Sequence, residues 1–123
     1  MTKLNDNIRI LGKGITALAL KDKFPNATLY DDNDFDKYDL NSNELTVVSP
    51  GIPPYNNMVV KSKNIVSDYD LFESIIPFSI WISGTNGKTT TTQMTQHLLE
   101  QYNSVCGGNI GIPLSSMNEK SPI

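Results

Sequence analysis

With a single cysteine, Cys106, the chain can form no internal disulfide and no zinc site built on cysteine pairs. That scarcity fits a reducing compartment. The single histidine, His97, stands beside Leu98 and Leu99 in a helical pattern and reads as a helix surface residue. No apolar run approaches the roughly 20 residues that span a bilayer. The opening MTKLNDNIRIL has no apolar stretch of signal-peptide length. The ten Lys and Arg are scattered, and the formal net charge is −3 with a pI near 4.9. A nucleic-acid partner demands clustered basic residues, so this balance excludes that class. The expectation is a cytoplasmic protein with no membrane and no nucleic-acid partner.

What is present is a globular composition, 38% hydrophobic and 19% charged over 123 residues. That length suffices for one ordinary domain, or a smaller one plus a piece of another. Ile8, Ile10 and Leu11 form a short β-rich segment followed at once by Gly-Lys-Gly. Residues 15–24 place Ile15, Leu18, Ala19 and Phe24 at near-helical spacing, and Pro25-Asn26 closes the segment. Thr28-Leu29-Tyr30 reads as a second strand. Strand, Gly turn, helix and strand make a βαβ unit with parallel pairing.

Residues 31–44 hold six acidic residues and one Lys, and are expected to be a solvated loop or edge. Leu45–Val48 is a buried-strand candidate, Asn64–Ser67 a weaker one, and Asp68–Ile75 a short helix. Asp68 and Asp70 read as the cap and first turn of that helix rather than as an acid–base couple. The pattern further predicts a strand over Ser79–Ile82, a helix over Lys88–Tyr102 and the start of a strand at Ser104–Cys106. A proline in Ser74-Ile-Ile-Pro-Phe78 marks a boundary. The expected organisation is α/β: a Rossmann-like parallel-sheet domain over 1–76, then over 77–123 the start of a second, P-loop domain.

The second domain begins on Ile82-Ser-Gly-Thr-Asn-Gly-Lys-Thr-Thr-Thr-Thr92, a Gly-rich turn between a strand and a helix. Gly84 and Gly87 permit close backbone approach. The amides of Gly84, Thr85, Asn86, Gly87 and Lys88 would point at phosphate oxygens, helped by the positive end of the helix dipole. Lys88 supplies a full charge for the β- and γ-phosphates, and Thr89 offers a hydroxyl to Mg²⁺. Thr90 can satisfy free amides of the first turn or touch a phosphate. The usual form of this loop has four residues between its glycines, whereas Thr85-Asn86 are only two.

The first glycine turn, Gly12-Lys13-Gly14-Ile15-Thr16-Ala17, matches G-x-G-x-x-A, with Asp31 about twenty residues on. Those are dinucleotide positions, with the acid on a ribose, so an NAD-binding oxidoreductase domain is one reading. A turn that merely packs helix on strand is another. Ser49-Pro-Gly-Ile-Pro-Pro54 follows the third strand on the same sheet edge, where its rigid backbone could line the same crevice.

Three motifs taken together, SGTNGKTT (83–90), SPGIPP (49–54) and GGNIGIPL (107–114), resemble in order and spacing the Mur ligases of peptidoglycan synthesis. VVSPGIP and SDYDLF are most similar to the branch of that family that adds D-glutamate. The resemblance covers the whole chain but only the first portion of such a ligase, which has three domains. It implies that the short Gly-Thr-Asn-Gly-Lys-Thr loop is the family's usual form, and that the first glycine turn holds a UDP-sugar instead of NAD. By the same resemblance Gly14, Ile15 and Thr16 meet the diphosphate or uridine, and Asp31, Asp32 and Asn33 the uracil and ribose. Gly51 and Asn109 would also contact the nucleotide sugar. Asp32 and Asn33 stand where relatives often carry Thr and Arg, and Asp70 where Glu is common.

The implied chemistry uses ATP and Mg²⁺ to activate the carboxylate of UDP-N-acetylmuramoyl-L-alanine as an acyl phosphate. The amine of D-glutamate then attacks it. Lys88 and Thr89 are the catalytic candidates within this chain, and the 123 residues alone are expected to be inactive. The whole enzyme is expected to be a monomer. A Mur-type ligase adding another amino acid, and a small binding module complete at this length, are the remaining alternatives.

Overall fold

A computed structural model describes residues 7–108, 111–117 and 120–123. Two compact units are present, Met1–Leu71 and Phe72–Ile123. In the first, β1 (Ile8–Leu11), α1 (Ile15–Lys23), β2 (Thr28–Tyr30), β3 (Leu45–Val48), α2 (Asn57–Lys61) and β4 (Ile65–Ser67) follow in chain order. A third helix, α3 (Asp68–Phe72), starts directly on the end of β4. The four strands form one sheet in the order β2-β1-β3-β4, and every pairing is parallel. The Rossmann-like α/β expectation holds for this unit.

Strand β1 is the buried spine, paired on both sides, and all four of its residues are buried. Parallel strands covered on both faces read as continuous apolar runs, which explains why Ile8-Arg-Ile-Leu11 shows no alternation apart from Arg9. Successive side chains still point to opposite faces. Leu11 packs with Tyr38 and Met58, surrounded by Tyr30, Phe35, Leu40, Val48, Ile52 and Val59. Ile8, Ile10 and Val47 turn to the other face, and α1 packs on β1 and β2 with Ala17 and Leu20 fully buried. Each fully buried side chain of the Leu or Val class contributes about 1.5–3 kcal/mol relative to exposure.

Arg9 is the exception in the spine, and it organises the segment that follows β2. Its side chain is 3% exposed, and a charge so placed must be paired. Nη1 donates to the Asp39 carbonyl at 2.6 Å, and Nη2 donates to Thr46 Oγ1 at 2.9 Å. The guanidinium lies 4.3 Å from the centroid of the Tyr38 ring. The Tyr38 hydroxyl in turn bonds Ser62 Oγ, past the end of α2. Segment 31–44 is therefore more than the solvated loop its acid content suggests. Asp32–Lys37 is a 3-10 helix, Tyr38 is buried, and Phe35 and Leu40 lean on the core.

The second unit contains α4 (Lys88–Leu99), extended by a 3-10 turn over Glu100–Tyr102, as the helix expected over 88–102. The strand expected over Ser79–Ile82 is not formed, and Ile80 and Trp81 stay 49% and 64% exposed. β-propensity says only that a segment suits a pleated, half-buried surface, and a strand exists only where a neighbour completes its ladder. No described residue forms a strand ladder with residues 79–82. The strand expected at Ser104–Cys106 is also absent, although Val105 N–H donates to the Ile123 carbonyl at 3.0 Å. With no sheet among its described residues, this unit does not display the P-loop ATPase fold. Helix α3 stops at Phe72, short of the expected Ile75, and the Ile75 and Ile76 amides close a turn on the Phe72 carbonyl.

Thr46→Val, which keeps the shape but strands Arg9 Nη2, is expected to cost about 1–3 kcal/mol in urea denaturation. Glu44→Gln is expected to cost under ~0.5 kcal/mol, because Glu44 lies 3.8 Å from Arg9 Nε and is 45% exposed. Equal losses would show that the guanidinium is held by its ion pair and not by the hydroxyl. Burial pushes the Asp68 carboxyl above its ordinary 3.8, so its contribution to stability is fullest below that value. The contribution is lost as pH rises through the raised value. The stability difference between wild type and Asp68→Asn is therefore expected to shift against wild type as pH rises above 3.8, read from denaturation midpoints.

Candidate functional site

The strand order reverses between β1 and β3, and in open α/β sheets the ligand crevice lies outside the carboxyl ends at that point. Here those ends are Leu11, running into Gly12, and Val48, running into Ser49. The Ser49 amide donates to the Leu11 carbonyl at 3.0 Å, and the Gly12 amide to the Tyr30 carbonyl at 2.7 Å, so three strand ends are laced together. Gly12 has φ +119°, and a methyl group there would sit 2.8 Å from Ser49 Oγ. Only glycine fits. Gly14 differs, because a Cβ at that position would meet nothing within 4 Å.

From this turn α1 begins with Gly14 as its N-cap, no capping side chain and no acid in its first turn. The first amides of a helix have no partner inside it, so the N–H groups of Ile15 and Thr16 are left with the positive end of the dipole. Such an end suits an anion. Ser49 Oγ, in a residue only 6% exposed, has no hydrogen-bond partner among the described residues, and it lies against Gly12. Ile52 N–H closes the Ser49–Ile52 turn on the Ser49 carbonyl at 3.0 Å, leaving Gly51 exposed on the same sheet edge.

Asp31, Asp32 and Asn33 stand at the carboxyl end of β2, at the head of the 3-10 helix. Asp31 caps it by accepting the Asn33 amide at 3.0 Å, while Asp34 Oδ2 accepts the Asp31 amide at 3.2 Å. Lys13, from the glycine turn, reaches Asp34 Oδ2 at 2.6 Å and Asp31 Oδ2 at 3.1 Å. The Lys13 ammonium, with help from the Asp31 amide, holds the Asp34 carboxyl down at about 2. Both carboxylates reciprocally raise Lys13. Asp32 Oδ1 accepts Asn56 Nδ2 at 2.6 Å, and Asn56 Oδ1 caps α2 through the Met58 amide. The fold thus brings Gly14, Ile15, Thr16, Asp31, Asp32, Asn33 and Gly51 to one sheet edge. Sequence reasoning gave no role to the side chains of Lys13, Ser49 and Asn56. The G-K-G spacing offered a signal for Lys13, whereas the contacts of the other two depend on the fold.

In the second unit Gly87 is the N-cap of α4 in the left-handed conformation, φ 75° and ψ 2°, again with no capping side chain and no acid in the first turn. The first helical bond runs from the Thr91 amide to the Gly87 carbonyl at 2.9 Å. Lys88 Nζ folds back to donate to the Gly84 carbonyl, across the Gly84–Gly87 loop. The threonine run resolves into separate jobs. Thr92 and Thr95 donate to the carbonyls four residues back, each at 2.8 Å, whereas Thr89 is half-buried in the first turn. Gly84, Thr85, Asn86, Gly87, Lys88 and Thr90 are all exposed. Asn109 lies outside the described residues. Among the described residues no three His, Cys, Asp or Glu cluster to hold a metal, and no helix is long and apolar enough to cross a membrane.

The Mur ligase middle domain matches residues 82–122. A UDP-N-acetylmuramoylalanine–D-glutamate ligase of Campylobacter jejuni (strain RM1221) is 44% identical over 126 residues, covering 87% of this chain and 31% of that protein. The protein of the same name from Helicobacter pylori (strain HPAG1) is 42% identical over 140 residues, with 94% and 33% covered. One from Francisella tularensis subsp. tularensis (strain WY96-3418) is 42% identical over 100 residues, with 72% and 24% covered. No solved structure matches. The chain spans about a third of the length of the Campylobacter and Helicobacter relatives. With two uncapped helix ends behind glycine turns and this similarity along most of its length, the chain belongs to the Mur ligase family.

Proposed function

We propose that the intact protein is an ATP-dependent amide ligase adding D-glutamate to UDP-N-acetylmuramoyl-L-alanine in the cytoplasm, for peptidoglycan synthesis. One observation carries this reading. Two helices, α1 and α4, each start directly behind a glycine turn with neither a capping side chain nor an acid in the first turn. A chain with net charge −3 that places no acid in either first turn leaves both helix ends as anion sites. The relatives' shared name supplies the two anions that fit, a nucleotide sugar and, by family, ATP.

In this proposal residues 1–76 form the UDP-sugar domain, and 77–123 open a P-loop ATP-binding domain. The Ile15 and Thr16 amides take the diphosphate, and Gly14 keeps the approach open. Asp31, Asp32 and Asn33 stand beside uracil and ribose, and Gly51 beside the sugar. The assignment of Asn109 to the same ligand rests on its motif alone. The loop from Gly84 to Thr90 receives the ATP phosphates. Lys88 exchanges the Gly84 carbonyl for phosphate oxygens, so its charge is already aimed at the place where negative charge builds.

The muramoyl-alanine carboxylate attacks the γ-phosphate and ADP leaves. The D-glutamate amine then adds to the acyl phosphate, and inorganic phosphate leaves as the amide forms. Thr89 would hold Mg²⁺ through its hydroxyl together with phosphate oxygens. That hard oxygen donor set fits, because Mg²⁺ binds through few protein ligands and keeps water and phosphate. When bound it neutralises the charge of the transferring phosphoryl group.

In the full-length protein, Lys88→Ala is expected to reduce ADP release dependent on both substrates by roughly 100-fold or more. Unchanged ADP release would refute the role given to the loop. In an NMR titration of this chain, UDP is expected to shift Gly14–Thr16, Asp31–Asn33 and Gly51, while NADH leaves them in place. Preference for NADH would restore the oxidoreductase reading. Gly14→Ala is expected to abolish those shifts at little cost in stability, whereas Gly12→Ala should cost about 1–3 kcal/mol in denaturation.

A further inference from the structure

The strongest unassigned feature at the sheet edge is Lys13, whose ammonium belongs to the glycine turn but is committed to the acidic segment. It bonds Asp34 Oδ2 at 2.6 Å and lies 3.1 Å from Asp31 Oδ2. We propose that Lys13 is a positioning residue for the nucleotide: by clamping the head of the Asp32–Lys37 helix to the glycine turn, it presets the uridine side of the pocket before ligand arrives. This rests on the reading of that edge as a nucleotide site.

Three facts point to a clamp rather than an incidental surface pair. First, Lys13 engages two carboxylates at once, and these are the two that cap the 3-10 helix, Asp31 through the Asn33 amide and Asp34 through the Asp31 amide. Moving Lys13 therefore disturbs the cap itself. Second, the helix head is tethered from its other side as well, where Asn56 Nδ2 holds Asp32 Oδ1 at 2.6 Å. Asp31 and Asp32, adjacent in sequence, are thus fixed to two different loops that border the same crevice. Third, the bridge is charged at any ordinary pH, because Asp34 is held at about 2 and Lys13 is raised above 10.5.

Neutralisation gives the clamp a second consequence. Asp31, Asp32 and Asp34 crowd the head of the 3-10 helix, on the edge where an anionic diphosphate would arrive. A cation shared by the two carboxylates nearest the glycine turn removes repulsion that the amides of α1 alone would have to overcome. A loop fixed in the binding geometry also lowers the ordering cost of association, since apparent affinity falls in proportion to the competent fraction.

The test measures dissociation constants for uridine and for UDP by NMR titration on wild type, Lys13→Met, Lys13→Arg and Asp34→Asn. A clamp predicts that Lys13→Met weakens uridine by roughly two- to fivefold, the range an exposed bridge can supply, and UDP by at least as much because the shared cation is lost with it. Lys13→Arg, which keeps the charge and can span two carboxylates, is expected to recover most of the affinity. Asp34→Asn is the decisive variant. Removing an acid should strengthen binding of an anion by charge alone, so weaker uridine and UDP binding in this variant supports the clamp. Loss confined to UDP in Lys13→Met, or unchanged or tighter UDP binding in Asp34→Asn, overturns it. If wild type itself fails to bind UDP, the nucleotide reading falls, and that result is separable because it appears before any substitution is made.

Discussion

The first unit depends on one steric constraint: β1 and β3 end so close together that the residue following β1 can carry no side chain. At Gly12 a methyl group would stand 2.8 Å from Ser49 Oγ, in a backbone conformation that disfavours any L residue. The closeness comes from the parallel pairing of Leu11 with Val48 and is continued by the bond from the Ser49 amide to the Leu11 carbonyl. Because the turn is that tight, only three residues separate α1 from the strand, and its free amides arrive at the switch in strand order. A looser turn would let the helix drift from the crevice. The same constraint that packs the core thus positions the proposed anion site.

Much of this was legible in the sequence because it is local. Ile8–Leu11, Thr28–Tyr30 and Leu45–Val48 are short β-rich runs punctuated by glycine, proline or acids, and all three are strands. The helix behind Gly14 and the helix behind Gly87 follow from the turn residues ahead of them. The acidic segment was less readable because its structure is decided at a distance. Arg9, thirty residues earlier, fixes Asp39, and Tyr38 finds its hydroxyl partner at Ser62. Neither contact leaves a periodic trace. The same holds for the candidate site: the glycine turns announce themselves, but that Lys13 and Asn56 hold the two aspartates is a matter of tertiary placement.

The strand expected at Ser79–Ile82 shows the opposite failure, a strong local signal with nothing to answer it. Ile80-Trp81-Ile82 has the residue types strands favour, directly before a phosphate-type loop, yet no described residue completes its ladder. The helix after the loop forms without that strand because its bonds are internal, beginning at Gly87 and reinforced by the Thr92 and Thr95 hydroxyls. Helices can be read from their own residues. Strands need a neighbour to be read against.

Electrostatics joins the two halves of the functional reading. Both proposed anion sites are made from backbone, and each is accompanied by one lysine held in reserve on a nearby oxygen: Lys13 on Asp31 and Asp34, Lys88 on the Gly84 carbonyl. The two lysines differ in what they would give up. Lys88 leaves a neutral carbonyl, a small loss against the gain of a phosphate, so its charge is free to transfer to ligand. Lys13 would have to leave two carboxylates, one of which it holds far below its ordinary pKa. The exchange that is favourable at Lys88 is unfavourable at Lys13. That difference in partner is why Lys88 is proposed as a ligand for phosphate and Lys13 as a part of the scaffold.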